Sequence, residues 1–298
     1  MDYKNIIPFL VMMLLLLTVE FGAILLSLPV QAAGITAFED PESVANPLIF
    51  ILILLVFTGF LLLMIKYNQK KVISIVIAGS IFLTFVYIFA ALVNIFLGMT
   101  LIASLVTLAL SVLAIIILYT YPEWYVIDAL GILIAAGVAS IFGVSLNIIP
   151  VIALLAMLGI YDAVSVYKTK HMITLAEGVI DLKTPILFVI PKRRGYSFIR
   201  EGIEKISEGT ERPALIMGMG DLIMPALLVV SANVFLQGWR LFGVINIPAL
   251  GAIFGSCIGL VVLLHFVTSG RPQAGLPPLN GGTILGFLLG CWALAAFG

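Results

Sequence analysis

The sequence predicts an all-α polytopic membrane protein, and three observations carry that prediction. Hydrophobic residues make up 62% of the 298-residue chain and charged residues only 10%, against roughly a quarter charged in soluble domains. The mean hydropathy is +1.25. Apolar runs of about 20 residues, each long enough to cross a bilayer, recur from end to end. The 15 basic and 15 acidic residues balance, so no basic face is offered to a nucleic acid and no nucleic-acid partner is expected.

Reading the apolar runs against their Pro, Gly and charged punctuation gives nine spans: 6–30, 47–65, 72–97, 100–121, 124–146, 148–167, 213–236, 241–268 and 277–297. The first follows Lys4 and ends in "VQAAG", a string like a signal-peptide cleavage site. At about 25 residues it exceeds the roughly 7–15 residues of a signal h-region, so it is expected to stay as an uncleaved span. Lys and Arg orient the set. An inside N-terminus puts 14 of the 15 basic residues on the cytoplasmic side and leaves Arg240 outside, whereas the first outer loop, "FEDPES", is acidic. An odd number of spans then makes the C-terminus extracytoplasmic. Trp124 and Trp239 fall at span ends, where indoles anchor to the interface. The long polar connection 168–212 divides one integrated membrane domain into a six-helix part, 1–167, and a three-helix part, 213–298. The expected location is the cell membrane, as a multi-pass protein.

Ionisable groups inside spans are costly and mark function by default. Four carboxylates qualify: Glu20, Asp128, Asp162 and Asp221. Asp128 lies near the start of the fifth span and is expected to be solvated at the interface. Glu20 lies deeper and is expected to be hydrogen-bonded to a neighbouring helix or protonated. Asp162 follows Tyr161 late in the sixth span, in "LGIYDAVSVY", and Asp221 lies in "GMGD" of the seventh. These two spans run antiparallel from the same cytoplasmic connection. Asp162 is about six residues from the end of its span and Asp221 about eight from the start of its own, so both lie roughly 9–12 Å below one face. No basic residue in either span neutralises them.

Two carboxylates at close range in low dielectric cannot both ionise, and the pair shares a proton. One member can take a proton from an attacking water while the protonated member polarises the carbonyl oxygen and then helps the amine leave. This chemistry needs no metal and no organic cofactor. Gly218 and Gly220, lacking side chains, would let another backbone come close to Asp221 or let the helix loosen beside it. Cys257 and Cys291 form no spaced metal motif and are expected in the core. His171 and His265 are isolated, without ligand partners at metal spacing.

"YD" in one span and "GMGD" in the next resemble the presenilin and signal peptide peptidase family of intramembrane aspartyl proteases. That family has nine spans, an inside N-terminus and a PAL motif opening the ninth. Several strings here are PAL-like, beginning at Pro213, Pro225 and Pro248. Position selects "GLPPLNGG", where Pro277, Pro278 and Leu279 follow Leu276, with Pro278 where the family has Ala. The brevity of the chain is that of a microbial presenilin homologue. The resemblance implies that Asp162 and Asp221 are the catalytic pair and that 276–279 supports the site. It also implies that the substrates are transmembrane helices met within the lipid bilayer.

The apolar stretch "TPILFVIP" at 184–191, bracketed by prolines, is expected to be a strand rather than a helix. It, or the irregular backbone expected near "GLPPLNGG", is a candidate to pair with an unwound substrate. The charged segment "KRRGYSFIREGIEKISEG" is expected to be a solvated surface. Two other readings compete. A secondary transporter could use Asp162 and Asp221 to bind a proton or cation, but no internal repeat is visible. Prepilin peptidases share G-x-G-D, but they carry a lysine soon after the aspartate, where "GDLIMP" stands here.

Overall fold

The computed structural model describes residues 3–169, 187–193, 195–201, 214–267 and 273–297. Among the described residues, nine helices of at least 17 residues form the body. They are α1 (Tyr3–Ala32), α2 (Ala45–Lys66), α3 (Lys70–Leu97), α4 (Leu101–Thr120), α5 (Trp124–Ser145), α6 (Ile148–Val164), α7 (Met219–Phe235), α8 (Ile247–Val267) and α9 (Leu276–Phe297). Eight of them are long and apolar enough to cross a membrane, counting α6 with the π-helical turn Ser165–Thr169 that extends it. α7 is shorter, at 17 residues.

The chain is not wholly helical. β1 (Leu187–Pro191) pairs antiparallel with β2 (Ala214–Gly218), and β3 (Arg240–Leu241) pairs with β4 (Ile245–Asn246). β1 lies within the stretch expected to be a strand; residues 184–186 are outside those described. The helical span expected from 213 begins instead at Met219. Pairing with β1 holds 214–218 extended, and Gly218 keeps an extended ψ of 137° before the helix starts. A short apolar run fits either state by periodicity, and tertiary pairing decides.

α7 is the most enclosed helix, with residues 225–233 buried among α1, α5, α6, α8 and α9. α2 stands at the periphery, fully burying only Asn46, Pro47 and Leu61, packing Phe50, Ile51 and Leu54 partly against the core and exposing Leu48, Leu52, Ile53 and Val56, as lipid-facing helices do. α8 and α9 meet differently. Gly251, Gly255 and Gly259 of α8 face Gly282, Gly286 and Gly290 of α9. A Cβ added at Gly255 would stand 2.1 Å from the Gly282 carbonyl oxygen, and one at Gly286 would stand 2.2 Å from that of Gly251. The two backbones are in direct contact, which small residues permit in membranes.

The far end of α7 is tied to the start of α8 through β3 and β4. Asn246 donates to the carbonyls of Ala232 and Leu236 at 2.7 and 3.0 Å, and its Oδ1 accepts the Ala249 amide at 2.9 Å, capping α8. Arg240 donates to the Asn233 carbonyl at 2.9 Å and to that of Val244 at 3.2 Å. The exception to the charge rule is therefore a cation at a helix C-terminus, where the dipole favours it.

Candidate active site

Asp221 is the third residue of α7, and the turn that precedes it explains its position. Gly218 occupies the N-cap place, and its amide donates to the Asp221 carboxylate. An acid three residues into a helix that reaches back to the N-cap amide is one half of a capping box, and the helix dipole favours an anion there. Asp162 lies two residues before the end of α6 and is 6% exposed. Ser165 opens the π-helical turn and donates to the Asp162 carbonyl at 2.9 Å. Asp162 thus lies six residues before the end of the crossing Ile148–Lys168, as expected, whereas Asp221 sits at a helix start and not eight residues inside, because a strand replaces the expected helix before it.

The lead-in to α9 brings the two together. The Leu276 amide donates to Asp162 Oδ2 at 3.0 Å, and the Gly275 amide is also directed at Asp162. A Cβ at Gly275 would stand 3.1 Å from Asp221 Oδ2 and 3.4 Å from its Oδ1. Gly275 therefore lies beside both carboxylates, Leu276 is bonded to Asp162, and Asp162 lies near enough to act on Asp221 electrostatically.

The other residues singled out by sequence divide. A Cβ at Gly218 would be 3.5 Å from Asp221 Oδ2, while nothing lies within 4 Å of one at Gly220. Gly220 thus leaves an open approach beside Asp221. Tyr161 is half-buried next to Asp162. Pro277 packs against Gly159 of α6, its Cα 3.7 Å from a Cβ placed there. Leu279 is fully buried, and its Cα stands 3.0 Å from a Cβ placed at Gly259, so it belongs to the α8–α9 contact. Residues 276–279 are regular helix, not the irregular backbone expected. Their prolines sit in the first turn of α9, where amides lack intrahelical partners anyway. Asn280 joins α9 to α6 by donating to the Leu155 carbonyl at 3.0 Å.

Two features went unseen in the sequence. Gly275 is one. Tyr167 is the second: it donates to Gln273 Oε1 at 2.8 Å and accepts the Ala274 amide at 3.3 Å. Beside that link lies a cavity of about 470 Å³ lined by Ala163, Tyr167, Leu263, Phe266, Pro277 and Pro278, among others. Asp128, noted in the sequence, has other surroundings than expected. It is not solvated at an interface but 8% exposed, accepting the Val189 amide at 2.9 Å. Glu20 is fully buried beside Ser256 of α8. His171, Pro213 and Arg271 lie outside the described residues.

Comparison with known proteins follows the same lines. Residues 12–296 match the family described as signal-peptide peptidase, presenilin aspartyl protease. Two solved structures of a presenilin family intramembrane aspartate protease are similar. One, in space group P2, is 49% identical with a TM-score of 0.68, covering 94% of this chain and 96% of that one. The other, in C222, is 49% identical with a TM-score of 0.71, covering 96% and 99%. Among curated proteins nothing matches.

Proposed function

Because this chain belongs to the signal-peptide peptidase and presenilin family and is an intramembrane aspartyl protease, we propose that Asp162 and Asp221 are its catalytic pair. The observation that carries the assignment is that the Gly275 and Leu276 amides are directed at Asp162 while Gly275 stands beside Asp221. The pair shares one proton. The ionised carboxylate takes a proton from water as the water oxygen attacks the peptide carbonyl carbon. The protonated partner gives its proton to the carbonyl oxygen, forming a tetrahedral diol. Collapse of the diol breaks the C–N bond as the amine nitrogen is protonated, returning the pair to its shared-proton state. Such a pair gives a bell-shaped dependence of kcat/KM on pH.

A helical substrate hides its amides and must unwind to reach the carboxylates. β1 is unavailable as a partner strand, since one edge pairs with β2 and Val189 on the other is bonded to Asp128. The outer edge of β2 is the place for strand addition, and it runs straight into the turn that holds Asp221. Deleting 184–191 is expected to abolish proteolysis; retained cleavage would exclude the sheet from the mechanism. The pocket beside Pro277 and Pro278 suits an apolar substrate side chain.

We read the chain as nine crossings with a cytoplasmic N-terminus and an extracytoplasmic C-terminus in the cell membrane. α7 supports this despite its length: 17 residues rise about 26 Å, close to a hydrocarbon core of about 30 Å, and β2 extends it. Family membership favours proteolysis over ion-coupled transport.

The deciding experiment incubates purified protein with a transmembrane peptide and compares wild type with Asp162→Asn and Asp221→Asn. Each change alone is expected to reduce cleavage by at least about 10³-fold, since one carboxylate cannot fill both roles. Wild-type cleavage by either variant would falsify the assignment.

A further inference from the structure

Two acids at the N-terminal end of α5, which the catalytic chemistry does not use, reach into the connection between α6 and α7. Glu123, the residue before α5, is 9% exposed. Its Oε1 accepts the Ser197 hydroxyl at 2.6 Å, and its Oε2 accepts the Phe198 amide at 3.0 Å. It thereby caps the single helical turn Phe198–Glu201 from outside that turn. Asp128 takes the Val189 amide of β1. One turn further along α5, Gly131 makes room for the strand. A Cβ there would stand 3.0 Å from the Phe188 ring and 2.8 Å from Met219 Cε.

The hydrogen-bond pattern shows what this grip fixes. In an antiparallel pair, successive residues point their amides to opposite edges. Val189 points its amide at α5, so Phe188 and Ile190 are the β1 residues that exchange bonds with Met217 and Leu215 of β2. Ile216, opposite Val189, then presents its amide and carbonyl to the outer edge of β2. β2 ends at Gly218, whose amide holds the Asp221 carboxylate. Any slip of β1 on α5 passes through the ladder to Asp221 and to that edge together.

We propose that Glu123 and Asp128 are positioning residues for proteolysis, an acidic clamp by which α5 sets the β1–β2 sheet in place ahead of Asp221. The inference rests on the assignment of Asp162 and Asp221. It assigns function to two carboxylates that touch neither substrate nor reacting atoms.

The test compares wild type with Asp128→Asn, Asp128→Ala and Ser197→Ala. Cleavage rate, KM and scissile position on one transmembrane peptide are followed by mass spectrometry. Thermal midpoint and tryptic cutting after the exposed Arg193 and Arg200 are followed on the same samples. Asp128→Asn keeps an oxygen for Val189 and is expected to stay within about threefold of wild type. Asp128→Ala removes it and is expected to lower kcat at least about tenfold, with KM changing less and cleavage spreading to neighbouring bonds, because a displacement of about 1 Å can cost about 10²-fold. Ser197→Ala loosens the Glu123 half and is expected to speed tryptic cutting and lower kcat about threefold. Asp128→Ala with wild-type rate and cleavage positions overturns the proposal, as does Asp128→Asn damaged as badly as Asp128→Ala. Should Asp128→Ala fail to fold, Ser197→Ala decides, and unchanged kcat and tryptic cutting overturn the clamp. Cleavage insensitive to Asp162→Asn and Asp221→Asn would instead sink the catalytic assignment, and equal tryptic cutting of wild type and variants would then count against the clamp by itself.

Discussion

A methyl group at position 275 would stand 3.1 to 3.4 Å from three atoms of the Asp221 carboxyl group, tighter than carbon and oxygen accept without movement. Gly275→Ala is therefore expected to push Asp221 from its partner while leaving the helices packed. Kinetics should show kcat reduced about tenfold or more with an unchanged thermal midpoint; a variant as active as wild type would mean that the carboxylate yields at no cost. Glu20 offers the opposite case. It is fully buried, and no ion pair among the described residues involves it, so Glu20→Gln is expected to leave cleavage within about twofold of wild type. At this scale Asp162 and Asp221 were legible because an acid in an apolar run has few bland explanations. Gly275 and Tyr167 were not. Their meaning lies in contacts with residues more than 50 positions away, and a glycine in a connection or a tyrosine past a helix end gives no local sign of that. Asp128 was visible, but its surroundings were misjudged, since the strand that buries it comes from another part of the chain.

Among the elements, the α8–α9 pair is the most exacting. Gly255→Ala inserts a methyl group where the facing carbonyl oxygen is 2.1 Å away, so the helices must separate. The expected cost is at least about 1–3 kcal/mol, read as a lowered thermal midpoint in detergent. Gly79→Ala in α3, with nothing within 4 Å of the new methyl, is the control and is expected to melt as wild type. Equal melting of the two variants would contradict the contact. The fourfold spacing of Gly251, Gly255 and Gly259, and of Gly282, Gly286 and Gly290, stands openly in the sequence. That the two rows face each other does not, because spacing names a helix face and not its partner. Helix positions were recovered from apolar length alone. What failed was the boundary at 213–219, where five apolar residues could begin a helix or form a strand and the pairing with β1 settled it.

The whole molecule carries its charge asymmetrically, and that makes its orientation testable in cells. In a background with Cys257→Ala and Cys291→Ala, a cysteine at exposed Trp239 is expected to react with an impermeant maleimide added outside. One at exposed Gln69 is expected to react only after lysis. The reverse pattern would invert the topology and place the catalytic pair near the opposite face. The contact between α8 and α9 has a consequence on the longest timescale. Where side chain meets side chain, a gain of volume on one helix can be answered by a loss on the other. Between Gly255 and Gly282 the apposed atoms are main chain, which no substitution can trim. Drift cannot repair this seam by paired exchange, so α8 and α9 must be inherited together, and the lead-in that touches both aspartates is inherited with them.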